Sequence, residues 1–130
     1  MGAMNGIPNT FVAKSAADLS AAEWLFVKHS SGSTHENPII ELCASGVPCG
    51  ILPKGEVAGR SMSVIKLNGQ PAKLKVNEAI AIDEYCGPTT GGKGAEVDGD
   101  KGACFFVATE AATADNDIIA GYTANMYLAV

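Results

Sequence analysis

Gly50-Ile-Leu-Pro-Lys-Gly-Glu-Val-Ala-Gly-Arg-Ser-Met-Ser-Val-Ile-Lys-Leu-Asn-Gly-Gln-Pro-Ala-Lys-Leu-Lys-Val76 reads as two strands around one short turn. Asn68-Gly69 is the dipeptide that a two-residue type I′ hairpin loop prefers, because both central residues need positive φ, and apolar-rich segments flank it on both sides. After the turn Ala72, Leu74 and Val76 alternate with Lys73 and Lys75, so a strand here turns small and branched groups to one face and two ammonium groups to water. The stretch predicts a hairpin of Met62 to Leu67 with Ala72 to Val76 and holds no cluster suited to catalysis.

The same rhythm of strand and turn runs outward from it. Thr10 to Ala13, Trp24 to His29, Ile39 to Cys43 and Cys49 to Leu52 precede the hairpin, and Ala79 to Asp83, Cys104 to Thr109 and Tyr122 to Val130 follow it. Trp24-Leu-Phe-Val-Lys-His29, dense in aromatic and branched side chains, is the best candidate for a strand buried on at least one face. Ser15 to Glu23 is the one helix-like segment, with Ser15 as cap and Asp18 at the capping-box position, but its apolar stripe is almost all alanine and a turn fits equally well. About nine short strands with no helix to cross over between parallel neighbours predict an all-β fold: a small antiparallel β-barrel, β-tulip or sandwich. Residues 1–9, small, polar and broken by Pro8, read as an extended N-terminal arm, and residues 10–130 as a single β domain.

Composition narrows the function. A net charge of −5 and a pI near 4.9 leave no basic surface to displace counterions from a phosphate backbone, which argues against nucleic acid as a partner. No apolar run approaches the roughly 20 residues that span a bilayer, and the first residues lack a secretory signal. The expectation is a soluble chain without a membrane partner. Cys43, Cys49, Cys86 and Cys104 lack the Cys-x-x-Cys spacing of a structural zinc site and read as small buried thiols. Cys43 and Cys49 bracket a Gly-Pro-containing turn and form the one candidate disulfide, against which stands the reducing cytosol.

Four patterns touch on chemistry. Gly87-Pro-Thr-Thr-Gly-Gly-Lys-Gly94 has the spacing of a Walker A loop, yet Gly94 stands where a magnesium-binding Ser or Thr belongs, and no helix follows to receive phosphate. His29 and His35, near Glu36 and Glu41, read as strand-end and loop histidines and not as a triad or metal site. Asp98, Asp100, Asp115 and Asp117 alternate with Gly or Asn but lack the glutamate that completes a calcium loop. Trp24 and Phe26, two apart, would share a strand face and could stack on a sugar or base. These readings leave no catalytic residue, cofactor or metal, so the chain is expected not to be an enzyme.

Taken in order, Ala17-Asp-Leu-Ser-Ala-Ala-Glu-Trp-Leu-Phe-Val-Lys28, Pro48-Cys-Gly-Ile-Leu-Pro53 with Gly55 to Gly59, the strand Ser61 to Leu67, Lys73-Leu-Lys-Val76, Ala79-Ile-Ala-Ile-Asp83, the glycine loop, and Ala108 to Ala120 with the apolar tail resemble the small capsid decoration, or cement, proteins of tailed bacteriophages. The resemblance extends over about 110 residues. It implies a β domain, made in the host cytoplasm, that binds the outer surface of the virion capsid and stabilises the mature shell. The implied partners are the major capsid protein and further copies of the chain in a homotrimer. Ile7, Pro8 and Phe11 are then the candidate capsid or subunit contacts. The alternative function is a carbohydrate-recognition β module built on Trp24 and Phe26.

Overall fold

The computed structural model describes residues 9–97 and 102–128. Ten strands lie among them: β1 (Thr10–Ala13), β2 (Leu25–His29), β3 (Ile40–Leu42), β4 (Gly50–Leu52), β5 (Met62–Ile65), β6 (Pro71–Lys75), β7 (Tyr85–Pro88), β8 (Gly94–Glu96), β9 (Gly102–Ala108) and β10 (Ile118–Leu128). The first five pair in the order β1-β5-β4-β2-β3 and the last five in the order β6-β10-β9-β7-β8, every ladder antiparallel. The outer strands of each sheet touch at one isolated parallel bridge, Lys14 with Ile39 and Val76 with Gly94, so both sheets curl without closing. Of the architectures expected, the sandwich is the one found.

Burial on both faces of the central strands explains why the run from Trp24 to His29 is so apolar. Side chains alternate across a strand: Leu25 and Val27 join Leu19, Ile40, Leu52, Met62 and Val64 in a core inside the first sheet. Phe26 points the other way and joins Ile51, Cys43, Leu74, Phe106 and Ile119 in a core shared with the second sheet. Ile51 and Leu52 of β4 divide in the same manner. The rings of Phe26 and Phe105 meet edge to face across the junction, 6.4 Å between centroids, an arrangement the ring quadrupoles favour.

The expected hairpin about Asn68-Gly69 does not form. β5 pairs with β1 and β4, whereas β6 pairs with β10, so the turn carries the chain from one sheet to the other. Only Gly69 has positive φ, +90°, and a type I′ loop needs it at both central residues. The crossing is fixed instead by Gly69 N–H donating to Thr123 Oγ1 at 3.0 Å. Ala79 to Asp83 is not a strand either: it makes a single bridge, Ile80 with Ala112, and turns at Asp83, φ +71°. The glycine-rich stretch read as a loop instead forms the hairpin of β7 and β8 around the 3-10 turn Thr90–Gly92.

Ser15 to Glu23 is turn and not helix. Ser15 Oγ accepts from Ala17 N–H at 3.1 Å and Asp18 Oδ1 from Ser20 N–H at 2.9 Å. Such local bonds offer the backbone an alternative to the helical ladder. Residues 1–8, most of the expected arm, lie outside the described residues; Asn9 is tied down, exchanging two hydrogen bonds with the Gln70 side chain at 2.7 and 2.8 Å.

Candidate functional site

Of the residues expected to touch a capsid or a second subunit, Ile7 and Pro8 lie outside the described residues. Phe11 is half-buried at the start of β1, its ring tilted against the His29 imidazole with 5.7 Å between centroids. Both rings line a groove of about 820 Å³ where the loop after β2, the start of β4 and the end of β5 meet β10. His35 lines it as well, so the two histidines do share a site, though neither Glu36 nor Glu41 does. Glu41 faces Lys28 across the β2–β3 ladder, 3.8 Å away.

The cysteines are free thiols, Cys43 and Cys49 included. Cys43 Sγ donates to Ser45 O at 3.2 Å, turned toward its own loop. Burial pushes the Cys49 thiol up to about 11 and the Cys86 thiol up to about 12, and raises Cys43 and Cys104 as well. Burial of this kind suppresses the thiolate that a nucleophile or metal ligand would need.

The Walker-like glycines serve packing. Gly92 has φ +84°, and a Cβ there would sit 2.7 Å from Phe26 O, so the turn can dock its backbone on β2 only without a side chain. Lys93 extends to Asp115, 3.0 Å from Nζ to Oδ1. Asp117 Oδ2 accepts from the N–H groups of Thr113 and Ala114 at 2.8 and 3.2 Å, which holds its carboxyl below the usual range. Asp98 and Asp100 lie outside the described residues. Among those described, no three His, Cys, Asp or Glu side chains are grouped to hold a metal ion.

Trp24 and Phe26 do not make a stacking platform. Phe26 is wholly buried and Trp24 packs on the same core. Trp24 also has φ +53°, which places it outside the strand, and its carbonyl accepts from Lys75 N–H at 2.8 Å, joining the two sheets.

A surface that no sequence motif marked lies on the second sheet. Tyr85 stands opposite Val107, Val107 opposite Tyr122, and Tyr122 opposite Pro71. Directly opposed residues share a face, so an apolar row crosses four strands. Its tyrosines are 38% and 50% exposed, far more than core residues. The four come from four separate strands, so no spacing in the chain could reveal the row before the register was known. The weak signal is Tyr122 itself, an aromatic set between the small residues Gly121 and Thr123.

No family model matches the chain, and no curated protein matches it in sequence. Among solved structures it is similar to the N base of the head fiber protein gp8.5 of bacteriophage phi29, with a TM-score of 0.72 at 14% identity over 95% of this chain and 100% of that one. The two share a fold.

Proposed function

We propose that this protein is a non-enzymatic structural component of a bacteriophage virion. It binds the outer surface of the capsid as a decoration protein, with the major capsid protein and further copies of itself, as a homotrimer, for partners. The observation that carries the reading is the fold likeness to the base of a phage head fiber along almost the whole chain. A second support is the exposed row Tyr85, Val107, Tyr122 and Pro71, since aromatic groups are enriched at protein interfaces. Ligand stacking on Trp24 and Phe26 finds no such support, because Phe26 has no accessible surface.

A protein that binds only the mature lattice stabilises that lattice by mass action, and several weak contacts per oligomer add through effective concentration. The test is to strip the protein from its particle, add it back and follow genome release on heating. Decorated particles should open at a higher temperature than bare ones; equal opening temperatures would reject the cement function.

A further inference from the structure

The groove beside Phe11 has a chemical bias that the rest of the chain lacks. The chain carries 14 acidic residues against nine lysines and arginines, yet among the described residues none of the 13 lining the groove is acidic, and both histidines of the chain and Lys66 are among them. Asn125 adds an amide, and Phe11 with Leu67 supplies apolar wall.

One of these donors is already oriented. Ser33 Oγ accepts the Ile39 N–H at 3.0 Å and, so held, lies 3.2 Å from His29 Nδ1. The contact engages Nδ1 and leaves Nε2 as the ring nitrogen that can meet a partner. Phe11 packed on the ring restricts its rotation.

A concave site of about 820 Å³ falls within the range of ligand-sized pockets, roughly 300–1,000 Å³, and is too large for a single small anion to fill. We propose that this groove receives an extended segment of a partner protein that carries carboxylate side chains among apolar ones. The carboxylates meet His29, His35 and Lys66, and the apolar groups lie against Phe11 and Leu67. A polyphosphate is disfavoured by the chain's overall negative field, whereas one or two carboxylates on an apolar segment are recognised locally. The inference stands whether or not the partner is a capsid protein.

The test uses the full chain and a fluorescein-labelled hexapeptide of alternating glutamate and leucine, with glutamine–leucine and lysine–leucine counterparts. Saturable anisotropy should appear for the glutamate peptide, weaken with added salt, and weaken about fivefold in Lys66→Gln and again in His29→Gln/His35→Gln, as loss of exposed charge and donor contacts predicts. Amide shift mapping on the unmodified protein should place the perturbed residues around Phe11, His29 and Lys66. Equal affinity for the glutamine peptide, displacement of the peptide by a short DNA duplex, or shifts confined to residues outside the groove would each overturn the assignment.

Discussion

Cys43, Cys86 and Cys104 have no accessible surface and Cys49 is half-buried. With a thiol-specific reagent at pH 8 the native protein should therefore show one slowly reacting group, Cys49, and the denatured protein four; rapid reaction of all four in the native state would contradict the packing. Cys86 also fixes a pH response. In the unfolded chain a thiol ionises near its ordinary value of 9.0, while in the fold burial holds Cys86 protonated up to about 12. A raised native value means that stability is fully present below pH 9 and is lost as pH rises from 9 toward 12, because the unfolded state gives up its proton first. Cys86→Ala should flatten this alkaline loss relative to the parent, while lowering stability at neutral pH by about 1 kcal/mol for the lost packing. Parallel denaturant titrations at pH 7 and pH 10 would measure both effects.

At the level of elements, the β7–β8 hairpin separates a packing role from a phosphate-binding one. Gly92→Ala would force a side chain into a left-handed turn pressed on Phe26 O, at a cost of about 2–3 kcal/mol. Lys93→Ala removes one largely solvent-screened pair with Asp115 and should change stability by under about 1 kcal/mol. Thermal melts of the two variants check the contrast, and magnesium-dependent ATP binding abolished by Lys93→Ala would reverse it. Local composition makes strands legible in the sequence: Thr10 to Ala13 reads as a strand and is one to the residue, and the dense apolar run from Trp24 to His29 reads as a buried strand, which the structure forms from Leu25 onward. Pairing was not legible, since it is decided by distant partners. Asn68-Gly69 has hairpin chemistry, but the donor that settles its geometry is matched by Thr123, 54 residues away. Gly87 to Gly94 reads as a loop because strand propensity undervalues glycine, although the missing side chain of Gly94 is what lets β8 lie against Leu74. For the candidate site, the sequence singles out Phe11, whereas the histidines read as strand-end and loop residues, because only the fold of the loop after β2 against Phe11, Pro48 and Lys66 puts both in one groove.

For the whole molecule, the apolar row on the second sheet offers a direct test of the proposed capsid-binding role. Tyr122 is half exposed, so Tyr122→Glu should leave the melting behaviour within the roughly 0.5 kcal/mol typical of surface changes. If the row faces the shell or a second copy, the buried carboxylate left in that contact should sharply reduce retention on particles. Sedimentation of reconstituted particles measures it, and undiminished co-sedimentation of the variant would place the contact elsewhere.

The order in which the strands are used has a consequence for how the chain is made. All five strands of the first sheet lie between residues 10 and 65 and all five of the second between 71 and 128, so a ribosome finishes one sheet before it begins the other. Phe26 and Ile51, turned toward the shared core, must wait in water or against a chaperone until Leu74, Phe106 and Ile119 emerge. The nascent first half is thus a sheet with one greasy face and no cover, and the speed at which translation supplies the second half sets how long that face is available for aggregation.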